Sequence, residues 1–198
     1  LRGGSSGSAR NPLVYVSSSP WNLYDVIAEF LDLQGIPAGP VLLRDLDITL
    51  GVLSAKRHHD HKGDSIRRVM HTFPDLPVIL IGDSGQQDPE IYHGIVHEFR
   101  GRVRAVYIRN VTMDDSRSAA IQALAAEVLA AGSSLVLADD TFAAATHAAE
   151  HGFIPAESLA SIGADKRADE GRTSEKADAP GARAPDDQPS PTVVVEEQ

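Results

Sequence analysis

The chain has 198 residues, enough for one domain with a hydrophobic core plus a tail. A net charge of −10 argues against a nucleic-acid partner, because such proteins normally present a basic stripe to the phosphates. Cysteine is absent, which excludes disulfides, thiolate chemistry and Cys-based zinc sites, and neither a membrane-length apolar run nor a signal-peptide pattern occurs, so we expect a cytoplasmic protein.

The first twelve residues have the composition of a flexible segment. The chain begins with Leu1 rather than Met, and residues 3–8 are all Gly or Ser, a composition that cannot support a fold alone. We therefore predict a flexible segment over 1–12, and we expect the natural N-terminal part of the protein to lie upstream.

The first strand and helix are predicted just after this segment. Residues 13–16 are β-rich, and Ser19 and Pro20 are well placed as the N-cap and first residue of a helix. The spacing i, i+3, i+4, i+7 predicts one buried helix face, made of Tyr24, Ile27, Ala28 and Leu31. Gly35 ends this helix.

Strands and helices then alternate to about residue 151. The apolar runs predict strands over 41–43, 78–81, 103–108 and 135–138, and the helical patterns cover 61–73, 89–99, 116–131 and 141–151. This alternation predicts a doubly wound α/β fold with a parallel sheet, contained in residues 13–162. In the helix over 61–73 we expect four residues to point inward: Ile66, Val69, Met70 and Phe73.

The composition changes after Ile162. Residues 164–198 contain no aromatic residue, Leu, Ile or Met, and they are rich in Asp, Glu, Ala and Pro. Such a segment buries too little apolar surface to order itself, so we predict a disordered acidic tail over 163–198.

The stretch VILIGDSGQQDPEIY, residues 78–92, is the most informative part of the chain. Asp83 and Asp88 follow a continuously apolar strand in a short Gly-containing loop, and Pro89 opens the next helix. The carboxyl ends of parallel strands are where open α/β sheets hold ligands. Because Mg²⁺ keeps several waters and needs only one or two protein carboxylates, the loop predicts half of a Mg²⁺–phosphate site.

Two further groups come from other strand and loop ends. Ser17 closes the first strand, and Lys62 lies in HHDHKGDSIRRV. A hydroxyl, an ammonium and two carboxylates at one sheet edge suit phosphoryl transfer, which depends largely on positioning and electrostatics. Ser18 and Arg44, at the same edge, are candidate substrate-binding residues; a surface salt bridge explains Arg44 equally well.

Four segments together carry a family resemblance: YVSSSPWNLY, HKGDSIRRV, ILIGDSGQQDPEIY and AVYIRNV. In this order they resemble the haloacid dehalogenase superfamily of Mg²⁺-dependent phosphatases and, more narrowly, the catalytic domain of actin-patch-type phosphatidate phosphatases. The resemblance covers roughly residues 11–152, and several ordered motifs are more specific than any one alone. It implies Ser17 (or Ser18) as the phosphate-binding hydroxyl, Lys62 as the charge-stabilising lysine, and Asp83 with Asp88 as the acidic pair for Mg²⁺.

The chain departs from this pattern at the nucleophile. The resemblance implies a DxDx(T/V) motif on a central strand before Ser17, but no Asp occurs in residues 1–16. We therefore expect the sheet to lack its central first strand and the nucleophile to lie outside this chain. Asp45, in VLLRDLDIT, is a weak substitute because it follows the Ser motif rather than preceding it.

Simpler interpretations stand beside the phosphatase. Asp88 suits an N-cap, Asp83 a turn, Lys62 a solvated helix start, and Ser17 to Ser19 capping groups. The whole domain is alternatively a non-catalytic remnant that binds Mg²⁺ or phosphate without turnover; a receiver-like nucleotide-binding domain is disfavoured, because it needs an acidic pocket around the first strand.

Two further features bear on partners. The histidine cluster of His58, His59 and His61 suggests zinc, but no helical spacing with a third ligand supports it. Trp21 and Tyr24 are candidates for peripheral contact with lipid at an interface, although core packing is the better explanation for Tyr24. The expected partner is a phosphorylated small molecule or a lipid phosphate.

Overall fold

The computed structural model describes residues 3–8, 11–44, 60–112 and 114–177. Asp45, His58 and His59, named in the sequence analysis, lie outside these residues. Strands and helices alternate along the described chain: β1 Tyr15–Pro20, α1 Tyr24–Leu33, β2 Val41–Arg44, α2 Asp60–Thr72, β3 Val78–Asp83, α3 Asp88–Glu98, β4 Val103–Arg109, α4 Asp115–Ala130, β5 Leu135–Ala138, α5 Thr141–Glu150 and α6 Ser158–Ala177.

The five strands form two parallel sheets. One sheet pairs β1 with β2, with Tyr15 opposite Val41 and Pro20 opposite Arg44. The other has the order β3-β4-β5, and its first pairing runs through to Asp83 opposite Arg109. All pairings are parallel, as expected for strands joined by crossover helices. The predicted α/β class with parallel strands is confirmed, in two sheets rather than one.

The three-stranded sheet is covered on both faces. Alternate residues of β4 point to opposite sides, so that Val106 and Ile108 enter one core and Ala105 and Tyr107 the other. The first core contains Met70 of α2, Ile95 and Val96 of α3 and Ile121 and Val128 of α4; the second contains Ala145 and Ala148 of α5, with Leu159 and Ile162 of α6 against it. This three-layer arrangement fixes the carboxyl ends of the strands on a buried framework.

The first helix differs from its sequence prediction. Ser19 is not an N-cap, because β1 continues to Pro20 and a 3-10 turn over Trp21–Leu23 precedes α1. Tyr24, predicted to be buried, is 50% exposed, and α1 has no buried residue. Phe73 is likewise exposed, just past the end of α2. Helical periodicity identifies an apolar face, but it does not say whether another element covers that face.

The last helix also corrects the sequence analysis. Residues 163–177 were predicted to be disordered, but they belong to α6, which begins at Ser158. Two contacts hold this helix against α5: the packing of its first turns on the second core, and an ion pair of 2.6 Å between Lys166 Nζ and Asp140 Oδ2. Residues 164–177 are also rich in Ala, Glu, Lys and Arg, which favour helix. Composition therefore understated the order of this stretch, and the rest of the predicted tail lies outside the described residues.

Within the described ranges, no helix is both long enough and apolar enough to cross a membrane.

Candidate active site

A cavity of about 500 Å³ lies between the carboxyl ends of β1 and β3. Its lining contains five of the six residues that the sequence analysis proposed for the site: Ser17, Ser18, Lys62, Asp83 and Asp88. Arg44 ends β2, beside β1, and is not in the lining. The two sheets therefore bring residues far apart in sequence to one edge, as the chain-order argument predicted.

A buried ion pair lies at the base of the cavity. Lys62 Nζ donates to Asp88 Oδ1, and the two residues are only 9% and 3% exposed. The second oxygen of Asp88 accepts a hydrogen bond of 3.3 Å from the Asp83 backbone N–H. Burying one of these charges without the other would be costly, so each side chain fixes the position of its partner. Asp88 is also not a capping residue, because Gln87 is the N-cap of α3 and no side chain caps this helix.

Gly82 allows Asp88 to lie this close to β3. A Cβ atom at position 82 would lie 2.3 Å from Asp88 Oδ2 and 2.8 Å from Asp88 Cβ, which is closer than real Cβ atoms approach other atoms. Gly82, the first residue of the GDSGQQD loop (residues 82–88), is therefore sterically required for the position of Asp88. Through Asp88 it is also required for the position of Lys62.

Asp83 and Ser17 each make one local turn. Asp83 Oδ1 accepts from the Gly85 backbone N–H at 2.8 Å, the Asx turn that the simpler interpretation expected. Its Oδ2 makes no hydrogen bond within the described residues. Ser17 Oγ accepts from the Ser19 backbone N–H at 3.1 Å and donates to Ser19 Oγ at 3.0 Å. These oxygen atoms are the donor type that Mg²⁺ prefers.

Arg117, on α4, braces the loop between Asp83 and Asp88. Its guanidinium donates to the backbone carbonyls of Ser84 at 3.1 Å and Gln86 at 2.7 Å, and it pairs with both carboxylate oxygens of Glu90. The hydrogen bond from Arg117 lowers the pKa of Glu90, against the opposing effect of burial. Sequence reasoning missed Arg117, because nothing in the sequence around it indicates which distant loop it contacts.

Ser84 joins the same loop to the segment that follows β4. It is buried, and its Oγ accepts from the Val111 backbone N–H at 2.9 Å and lies 3.2 Å from Thr112 Oγ1. Its backbone N–H donates to the Arg109 carbonyl at 2.9 Å. The loop that carries the two carboxylates is therefore held from two directions, by α4 and by the end of β4.

Tyr92 lines the cavity, and the sequence analysis missed it as well. Its hydroxyl donates to the Ile81 carbonyl at 3.0 Å, and the side chain is buried. Burial, together with the nearby carboxylates of Asp88 and Asp83, raises the pKa of Tyr92, so the group stays a protonated donor rather than a base. A signal for it was available: Tyr92 follows Asp88 by four residues and so shares its helix face.

His61 precedes Lys62 at the start of α2. Burial lowers the pKa of His61, and the charges of Arg44 and Arg68 lower it further. The imidazole is therefore neutral at physiological pH, and it adds no further positive charge beside Lys62.

The matched sequence family agrees with this geometry. The family model described as "Phosphatidate phosphatase APP1, catalytic domain" matches residues 4–110, more than half of the chain. The chain belongs to this family. The match contains every cavity residue named above, from Ser17 to Tyr92, but it ends before Arg117. The resemblance to the phosphatidate phosphatase catalytic domain, drawn from the four motifs, is thereby confirmed.

Two curated relatives are similar to this chain over about 100 residues, a length close to that of the family match. The chain is 31% identical over 99 residues to phosphatidate phosphatase APP1 of Saccharomyces cerevisiae, and 30% identical over 103 residues to an uncharacterized protein of Schizosaccharomyces pombe. These alignments cover 48% and 50% of this chain and 16% of each relative. The chain thus spans only a small part of the length of the relatives it matches. No solved structure matches it significantly.

Proposed function

We propose that the chain is part of the catalytic domain of a cytoplasmic, Mg²⁺-dependent phosphatase of the haloacid dehalogenase type, which converts phosphatidate to diacylglycerol and phosphate. One observation carries the proposal: a hydroxyl, an ammonium and two carboxylates line the same cavity at the ends of β1 and β3. They belong to Ser17, Lys62, Asp83 and Asp88. Membership of the phosphatidate phosphatase APP1 family supports the substrate class.

The residues of the cavity have different proposed roles, which follow from their chemistry. The Ser18 hydroxyl donates a hydrogen bond to a phosphoryl oxygen, and the Ser17 hydroxyl does so by rotating away from Ser19 Oγ. The ammonium of Lys62 neutralises charge that develops on these oxygens. Asp88 orients Lys62, since one of its oxygens already accepts from Nζ and the other from the Asp83 backbone. Arg44 ends β2 outside the lining, and its proposed role is to add positive charge from that position.

The donor set fits Mg²⁺. Asp83 lines the cavity with an oxygen that accepts no hydrogen bond from the described residues, and Asp88 supplies a second carboxylate beside it. Hard oxygen ligands of this kind, few in number and completed by water and substrate phosphate, are typical of Mg²⁺ sites. When bound, the ion supplies positive charge that stabilises the transferring phosphoryl group.

The nucleophile is proposed to come from another part of the parent protein. Within the described residues β1 and β3 each have a partner on one side only, and Ile81 of β3 is 60% exposed beside the cavity. A strand placed between them would pair both edges and cover Ile81. Its Asp would attack phosphorus and displace the diacylglycerol oxygen, which takes a proton, and water would then release phosphate from the aspartyl group.

Peripheral membrane contact is proposed for α1 and the preceding turn. Trp21 is 61% exposed, and the side chains of Val26, Phe30 and Leu33 are also exposed on this segment, which directly follows the serines of the cavity. The charged residues of α1 are all acidic. The contact with lipid would therefore rest on apolar insertion rather than on attraction to anionic headgroups.

A non-catalytic module is the second candidate. It is favoured by one observation: Asp83 and Asp88 are the carboxylates that line the cavity among the described residues, and Asp83 accepts from the Gly85 N–H while Asp88 pairs with Lys62. Such a module would bind Mg²⁺ and phosphate at the same cavity, but it would release no phosphate with time.

The test uses the full-length parent protein and vesicles that contain phosphatidate. Ser17→Ala and Lys62→Met should each lower the rate of phosphate release by about 100-fold, because each removes a group that stabilises developing charge. Ser118→Ala, on α4 outside the cavity, is the matched control and should leave the rate unchanged. Full activity in both cavity variants, or saturable binding without release by the native protein, would contradict the proposal.

A further inference from the structure

A second cluster of ligand groups lies between α3 and α4, outside the cavity. His93 and His97 occupy positions i and i+4 of α3, and Glu127 faces them from α4. His93 Nε2 lies 2.8 Å from Glu127 Oε2, and the two imidazole rings have centroids 4.5 Å apart. One ligand atom from each residue lies within 4.8 Å of the other two.

His97 adds an independent indication of a missing ligand. Its Nε2 atom is buried and makes no hydrogen bond to any described residue. A buried ring nitrogen without a partner is costly, and such atoms normally bond to protein, water or an ion. Glu127, by contrast, has a side chain that is 60% exposed, so the cluster is open to solvent on the α4 side.

The donor set selects the class of cation. Two imidazoles and one carboxylate suit Zn²⁺ and neighbouring transition metals, whereas Mg²⁺ prefers ligands that are all oxygen. A Zn–N distance of about 2.0–2.1 Å requires ligand atoms roughly 3.3 Å apart in a tetrahedron. The three ligand atoms lie within 4.8 Å of one another, so binding requires the more distant of them to move closer by rotation of their side chains. The fourth position would be left to water.

We propose that His93, His97 and Glu127 bind one Zn²⁺-class cation, which clips α3 to α4. The bound ion would hold the C-terminal half of α3, whereas Asp88, the residue that orients Lys62, lies at the start of this helix. It would also hold the helix that carries Arg117, the brace of the GDSGQQD loop. The site would stabilise the two helices that support the cavity, and its metal is chemically distinct from the Mg²⁺ proposed for the cavity.

The experiment measures Zn²⁺ binding to the 198-residue chain without an affinity tag, by calorimetric titration, together with the ligand-field spectrum of bound Co²⁺. The native chain should bind one Zn²⁺ at this site and melt at a higher temperature with the ion, and millimolar Mg²⁺ should not compete. His97→Gln and Glu127→Gln should each weaken binding at least about tenfold, since even the loss of an outer partner of a metal ligand weakens binding 10- to 100-fold. Glu127 is exposed, so its variant tests the site even if His97→Gln fails to fold.

Two controls separate this site from other histidines and from the cavity. His147 of α5 and His151, which directly follows α5, have the same spacing and stacked rings, but within the described residues they do not share a metal-ligand cluster with a carboxylate. His151→Gln should therefore leave Zn²⁺ affinity unchanged, and so should Asp83→Asn. Unchanged affinity in both His97→Gln and Glu127→Gln, or a loss of affinity in His151→Gln instead, would overturn the proposal.

Discussion

Gly82→Ala should damage the cavity although it replaces no charged residue. The added Cβ would lie 2.3 Å from Asp88 Oδ2, so the separation must grow by about 1 Å to reach ordinary van der Waals contact. Asp88 is buried and cannot swing into solvent, and its carboxylate is held by Lys62 Nζ and the Asp83 N–H. The substitution therefore overpacks a buried site, which typically costs about 1–3 kcal/mol, and it strains an ion pair whose full disruption costs about 3–5 kcal/mol.

We expect the free energy of unfolding of the 198-residue chain to fall by roughly 3 kcal/mol in Gly82→Ala, measured by urea unfolding followed by circular dichroism. In the full-length parent, phosphate release should fall about 100-fold, because a displacement of about 1 Å at a reacting group costs on that order. Gly94→Ala is the matched control: nothing lies within 4 Å of its added Cβ, and an alanine within α3 should stabilise the chain by up to about 1 kcal/mol. Equal stability of Gly82→Ala and the native chain would refute the steric argument.

Three further predictions concern the surroundings of the cavity. Arg117→Ala should lower phosphate release by the parent about tenfold by freeing the loop that it braces, whereas Arg100→Ala, on the exposed surface, should have no effect; equal rates in the two variants would contradict the brace. Because Arg117 lowers the pKa of Glu90 from its usual 4.5, this pair stabilises the fold above that pH, and its contribution is lost as the pH falls through the lowered pKa. Glu90→Gln should accordingly flatten the acid side of the melting-temperature profile, and an unchanged profile would show that the pair contributes nothing. Trp21→Ala should weaken binding of the chain to phosphatidate vesicles to the same extent at low and high salt, and a salt-dependent loss would indicate charge attraction instead.

The order of strands and helices along the chain, and the meeting of the cavity residues at one edge, could be predicted because both depend on local patterns; the division of the strands into two sheets could not. Continuous apolar runs identified β3 and β4, and the carboxyl ends of parallel strands meet at one edge whatever the details of packing. Placing Ser17, Lys62 and Asp83 together therefore needed only their positions relative to predicted elements. The sequence motifs added the family, and the match over residues 4–110 confirms it.

The parts that could not be predicted depend on long-range contacts. Arg117 reaches a loop about thirty residues earlier, and neither its composition nor its spacing marks that partner. Tyr24 was assigned to the core because periodicity does not reveal whether a helix face is covered. At α6 the composition led to a prediction of disorder, because the ion pair of Lys166 with Asp140 joins two helices that no sequence pattern pairs. The His93–His97 pair had a visible i, i+4 signal, but its third ligand, Glu127, is a tertiary contact.

The most direct test of the account is the rate of phosphate release from phosphatidate by the full-length parent, with and without Mg²⁺, for the native protein, Asp83→Asn and Asp75→Asn. Asp83 lines the cavity, whereas Asp75 is exposed in the turn between α2 and β3. We expect a Mg²⁺-dependent rate that is retained in Asp75→Asn and lost in Asp83→Asn, because Asp83 lines the cavity and offers the ion an oxygen there, whereas Asp75 does not line it. Phosphate release that survives both a chelator and Asp83→Asn would contradict the account.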